Sequence, residues 1–108
     1  MRKEFRTAWF LLLLRNGSSY GYELRRELAV RALDVDPAVM YRSLREMERD
    51  GLISSHWMRS DSGPRRRVYT ITDVGRAELA RTAAAVKRFR DEQDAFLQAC
   101  EEPGAEAH

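Results

Sequence analysis

The segment that most limits what this chain can become is "DPAVMYRSLREMERDGLI", Asp36 to Ile53. Asp36 is a strong N-cap, and Pro37 falls at the first helical position, where its missing N–H costs nothing. Gly51 is a helix stop. Between these limits Val39 or Met40, Leu44 and Met47 provide a core face, leaving Tyr41, Arg42, Arg45 and Arg49 mostly outside. A helix punctuated at both ends cannot grow, so the next stretch of chain is a separate element. That element is β: "LISSHWMR" (Leu52 to Arg59) reads as a strand, "SDSGP" as a polar turn, and "RRRVYTI" (Arg65 to Ile71) as a second strand.

Three further helices frame this unit. The first covers roughly Lys3 to Arg15 and ends at Asn16-Gly17. Its apolar residues surround most of the cylinder, so it is buried on more than one side. Ser18 or Ser19 offers an N-cap for a second helix, Tyr20 to Leu33, with Leu24, Leu28 and Ala32 facing inward. After the hairpin, Thr72 and Asp73 start a last helix that continues to about Cys100. The acidic tail "EEPGAEAH", broken by Pro103-Gly104, is expected to be disordered. Helix, helix, helix, two-stranded hairpin, long helix is a mainly α fold with a small β-hairpin, in the order of a winged helix-turn-helix followed by a long C-terminal dimerisation helix. Residues 1–71 make the winged unit, 72–100 the terminal helix and 101–108 the tail. The third helix is the one that enters a major groove in this layout, and the arginine-bearing hairpin is the wing.

The last helix carries Leu79, Thr82, Val86, Phe89, Gln93, Phe96 and Cys100 at alternating spacings of three and four, a coiled-coil-like seam. A helix of about 28 residues extends about 42 Å, too long for so small a domain to cover. Pairing with a second copy resolves this, with Phe5, Trp9, Leu79, Val86, Phe89 and Phe96 as interface candidates. Packing back on the first helix of the same chain is the alternative. Trp9 and Phe89, with Phe5, are also candidates for lining an effector cavity.

Charge and composition narrow the function. The net charge of +2 hides an asymmetry: residues 1–71 hold 14 Lys+Arg against 9 Asp+Glu, and residues 72–108 hold 5 against 8. The basic excess sits in the winged unit. Cys100 is the only cysteine, which excludes an intrachain disulfide and a Cys-based zinc site. His56 and His108 are far apart in the chain, and no nucleophile elbow, zinc-protease motif or phosphate loop is present. No enzyme activity and no cofactor are expected. The longest apolar run, Ala8 to Leu14, is far short of the roughly 20 residues that span a bilayer. Arg15, Asn16 and Gly17 follow it instead of a small-residue cleavage site. A cytoplasmic protein without a membrane partner is expected.

Three blocks carry a resemblance: "GSSYGYEL" (Gly17 to Leu24), "PAVMYRSLREMERDGLI" (Pro37 to Ile53) and "GPRRRVYTITDVGRAEL" (Gly63 to Leu79). Together they resemble the PadR family of bacterial transcriptional regulators, and the single long terminal helix is similar to its short subfamily. The resemblance implies a DNA-binding homodimer acting as a repressor, with an effector at the subunit interface. Two departures stand out. Arg42 follows Tyr41 where many members have Pro. Val86 falls, by an ungapped count, where the short drug-sensing members carry a Trp that walls a flat ligand pore, so that ring is missing here.

The candidate DNA contacts follow from chemistry. Arg65, Arg66 and Arg67 repel one another unless an anion is near; on a strand Arg65 and Arg67 point to one side and Arg66 to the other. Cations on a wing replace counterions along the phosphates or in the minor groove. On the third helix Ala38, Tyr41, Arg42 and Arg45 form the reading face. Arg42 suits a guanine in bidentate fashion, Tyr41 a phosphate or a thymine methyl, and Ala38 permits close approach. The plain alternative pairs Arg42 with Glu46 along the helix. Ser18, Ser19 and Tyr20 are phosphate donors at the start of the second helix. The partners expected are double-stranded DNA with a pseudo-palindromic operator, a second copy of the chain and a small-molecule effector. The rival class is a winged-helix protein-interaction module without DNA binding, which would rely little on the arginines.

Overall fold

The computed structural model describes residues 2–17, 19–60 and 62–104. In chain order the elements are α1 (Lys3–Arg15), β1 (Ser19–Tyr20), α2 (Gly21–Val30), α3 (Pro37–Arg49), β2 (Ile53–Ser60), β3 (Gly63–Ile71) and α4 (Asp73–Glu101). The punctuation of α3 acts as the sequence predicts. The Asp36 carboxylate accepts from the backbone N–H groups of Ala38 and Val39 at 3.0 and 3.3 Å. After the helix, Gly51 takes a φ of +78° that a side chain would resist. Met40, Ser43, Leu44 and Met47 are its buried face.

Two expectations are corrected. The second helix ends at Val30, not Leu33. No Gly or Asn stops it, so Ala32 itself takes a φ of +58° and turns outward instead of into the core. The Leu33 N–H then donates to the Leu28 carbonyl at 2.9 Å, and Arg25 donates to the Val35 carbonyl at 3.3 Å, pinning the link to α3. Ser19 does not cap α2. Its N-cap residue is Tyr20, with no side-chain hydrogen bond; Ser19 lies in a strand, and Ser18 lies outside the described residues.

That strand adds to the hairpin. The sheet has three antiparallel strands in the order β1-β3-β2. Ser19 pairs with Tyr69 and Tyr20 with Val68, while Ile53 pairs with Ile71, Ser55 with Tyr69 and Trp57 with Arg67. The hairpin also runs further than predicted, to Ser60 on one side and Gly63 on the other.

The core is one cluster drawn from every layer. Phe10, Leu11 and Leu14 come from α1, Leu24 and Leu28 from α2, Met40, Leu44 and Met47 from α3, and Ile53, Tyr69 and Ile71 from the sheet. Each such large apolar side chain stabilises the fold by about 1.5–3 kcal/mol on burial. Polar contacts fix α1 against α3: Arg6 Nε donates to Ser43 Oγ at 3.0 Å, and Lys3 Nζ lies 3.1 Å from Glu46 Oε2.

The root of α4 is packed tightly on the α3–β2 junction. Thr72 Oγ1 donates to the Gly51 carbonyl at 2.6 Å and accepts from the Gly75 N–H at 3.0 Å. A Cβ on Gly75 would lie 2.1 Å from the Leu52 carbonyl oxygen, so only glycine fits there. Further along, every residue from Ala83 to Glu101 is exposed. The molecule accordingly measures 77 × 27 × 21 Å. The predicted tail lies partly at 105–108, outside the described residues. Among the described residues no helix is long and apolar enough to cross a membrane.

Candidate nucleic-acid interface

Ala38, Tyr41, Arg42 and Arg45 all lie on the exposed side of α3, as their helical spacing requires. The local pairing of Arg42 with Glu46 does not form. Glu46 is held instead by Lys3, whose hydrogen bond keeps the carboxyl below its usual 4.5. Among the described residues neither Arg42 nor Arg45 forms an ion pair. Tyr41 leans toward the start of α2, where a Cβ on Gly21 would come within 2.8 Å of its ring.

The three wing arginines have three different settings. Arg67 faces inward, where its guanidinium donates to Ser55 Oγ at 2.8 Å and to Glu48 Oε2 at 3.2 Å. Ser55 in turn donates to the other Glu48 oxygen, so one carboxylate of α3 ties down both strands of the wing. Arg65 and Arg67 lie over the Trp57 ring at 5.8 and 5.3 Å from its centroid. Arg66 turns the other way and lies 5.2 Å from the Tyr20 ring centroid and 5.8 Å from that of Tyr22. Those two rings are nearly parallel, 9° apart with centroids at 6.4 Å. The alternation along the strand expected from the sequence is present, and it splits the cluster.

Between α3 and the wing these groups enclose an open cleft of about 650 Å³, lined by Tyr20, Tyr22, Tyr41, Trp57, Arg45, Arg66 and Arg67, with Glu48 and Tyr69 at its back. Burial pushes the Tyr69 phenol above its ordinary 10, against the pull of Arg67. Sequence reasoning missed Glu48, Tyr22 and Trp57 as parts of this surface. Both rings stand open to solvent, Tyr22 51% and Trp57 55% exposed. The register that sets Trp57 opposite Arg67 was the missing information. Ser19 lies at the edge of this face, but its hydroxyl donates to Glu23 Oε2 at 3.1 Å.

On the opposite side, α1 and α4 form a second, apolar groove of about 410 Å³ lined by Phe5, Ala8, Trp9, Leu12, Leu79 and Val86, among others. Trp9 and Phe5 meet there. Phe89 does not line it; it stands further out on α4, 62% exposed together with Phe96.

A capped helix presented beside a basic three-stranded wing defines a winged helix-turn-helix protein. The profile of the transcriptional regulator PadR-like family matches residues 10–81. The transcriptional regulator Rv3488 of Mycobacterium tuberculosis is 34% identical over 95 residues, covering 85% of this chain and 88% of that protein. The PadR family regulator of Clostridium difficile R20291 superposes with a TM-score of 0.78 at 26% identity, over 84% of this chain and 96% of that one. Bacillus subtilis PadR, solved in complex with operator DNA, shares the fold with a TM-score of 0.67 at 22% identity, over 73% of this chain and 46% of that one. The chain belongs to the PadR-like family of transcriptional regulators. It is a regulator and not an enzyme.

Proposed function

We propose that this regulator is a homodimeric repressor that reads a pseudo-palindromic operator and is released by a small-molecule effector. The observation that carries the reading is a set of exposed cations on α3 and the wing left without acids. Arg42 and Arg45 on α3 and Arg65 and Arg66 on the wing form no ion pair among the described residues, whereas Arg67 does. Unpaired guanidinium groups side by side repel one another, and a polyanion relieves that repulsion while releasing its counterions. Ala38, Tyr41, Arg42 and Arg45 then face base edges, Arg65 and Arg66 the phosphates, and Tyr20 and Ser19 the backbone beside α2, Ser19 by giving up Glu23. That Bacillus subtilis PadR, of the same fold, was solved in complex with operator DNA supports DNA as the partner.

Dimerisation is supported by the bare outer face of α4, where Phe89, Phe96 and Leu97 are all more than half exposed. Two-fold pairing along this helix predicts half-sites one or two turns apart, about 34 Å per turn. The groove holding Trp9 is the candidate effector site at that interface.

Fluorescence anisotropy tests the reading, with the DNA upstream of this protein's own gene measured against a scrambled duplex across a salt series. Tight binding that prefers the upstream DNA and falls steeply with salt is the expected outcome. No binding to either duplex at low salt would refute it and favour the protein-interaction module.

A further inference from the structure

The cleft between α3 and the wing has a chemistry that a duplex alone does not use. Its lining carries five aromatic rings, and three of them stand open: Tyr22 is 51%, Tyr41 42% and Trp57 55% exposed. An intact duplex presents base edges in its grooves, and its base faces are covered by their neighbours. Exposed ring faces therefore find no stacking partner in B-DNA, whereas a free planar ring offers both of its faces.

The charge of the cleft is equally selective. Glu48, the one acid on its wall, is consumed by Ser55 and Arg67. Arg45 and Arg66 also line it and have no acid partner among the described residues. The space is therefore positive as well as aromatic. At about 650 Å³ it falls within the range of small-molecule sites. Arg66, already over two tyrosine rings, is positioned to add a bidentate contact to a carboxylate.

The geometry points to a second ligand site in this cleft, which takes a planar aromatic anion. The ring lies against Tyr22, and the carboxylate pairs with Arg66. Four of the lining residues, Tyr20, Tyr41, Arg45 and Arg66, are the ones assigned above to DNA, so such a ligand competes with the operator for the same side chains. The competition rests on the DNA-binding reading; the site does not. Release by this route needs no change in dimer geometry.

Isothermal titration of the full chain with 2-naphthoate, without DNA, tests the site. The expected result is saturable binding of one molecule per chain. Arg66→Gln and Tyr22→Ala, both at exposed positions, each weaken it about tenfold, since one removes the anion partner and the other a ring. Cyclohexanecarboxylate, with the same charge but no planar ring, binds about tenfold more weakly. Absence of binding, or binding indifferent to both variants, overturns the site; so does binding that is lost only in Trp9→Ala, which would put the ligand in the α1–α4 groove. Adding naphthoate during the anisotropy measurement should raise the apparent Kd for the operator in step with occupancy. Arg66-dependent naphthoate binding that leaves DNA affinity unchanged would overturn the competition. Naphthoate binding by a chain that binds no DNA would overturn the repressor reading and keep the site.

Discussion

Arg66 and Arg67 are neighbours in the chain but have different partners, because a strand sends successive side chains to opposite faces. Arg67 spends its charge on Glu48, and Arg66 keeps its own over Tyr20 and Tyr22. At the same scale, Lys3 leaves Arg42 unpaired by occupying Glu46. Arg42→Ala should cost about 1–3 kcal/mol on the cognate operator and relax preference at the base pair it reads; competition binding with single-base operator variants checks this. Unchanged preference would remove its base-reading role. Lys3 also sets a pH dependence. It holds the Glu46 carboxyl below its usual 4.5, so the pair contributes stability above that unfolded-state value and loses it as pH falls through the lower folded value. Lys3→Met should flatten this acid limb of the melting curve followed by circular dichroism. The exposed face of α3 was legible from spacing alone. The partners of the wing arginines were not, because Glu48 lies 19 positions from Arg67 and only the folded register joins them.

Among elements, legibility followed punctuation. α1 ends at Asn16-Gly17, α3 begins and ends where the Asp36 cap, Pro37 and Gly51 require, and α4 starts at its Thr72 cap. β1 has two residues and no pattern of its own; it exists because Val68 and Tyr69 offer it an edge. The end of α2 lacked a signal for the same kind of reason, since Ala32 does the work normally given to glycine. Beyond the shared core, Glu48 links both strands of the wing to α3. Glu48→Gln keeps the shape of the side chain but removes its charge from Arg67. The pair is more than a third exposed, so the loss in stability should be about 1 kcal/mol, small because solvent screens it. Urea unfolding measures that loss. Operator affinity should fall as well, although Glu48 faces the wing and not the DNA, because Arg65 and Arg66 lose their fixed starting position. Affinity that matches the wild type would show that the wing orders itself on DNA.

Taken whole, the molecule is too extended for its length. Its radius of gyration is 19.0 Å, against about 13 Å for a compact chain of this size. The excess is α4, whose outer stretch buries nothing within the chain. The stripe of phenylalanines was readable from sequence; the groove between α1 and α4, lined from Leu79 as far as Arg90, was not. Phe89→Asp and Phe96→Asp place charges on the exposed stripe without touching the core. If the proposed dimer pairs along this stripe, both variants should be monomeric by light scattering, and operator affinity should drop with the loss of a second half-site. A dimer that survives both changes would move the interface elsewhere.

The close fit of Gly75 against the Leu52 carbonyl makes α4 a lever whose short end is the base of the wing. The helix cannot pivot on its root without carrying the α3–β2 junction along. At about 1.5 Å of rise per residue its arm is about 44 Å, so a tilt of about 5° sweeps the far tip through about 4 Å. Run in reverse, a few ångströms of slip at that tip turns α3 by a few degrees. On the proposed reading, a contact made far from the DNA would thereby set the angle at which α3 meets its groove.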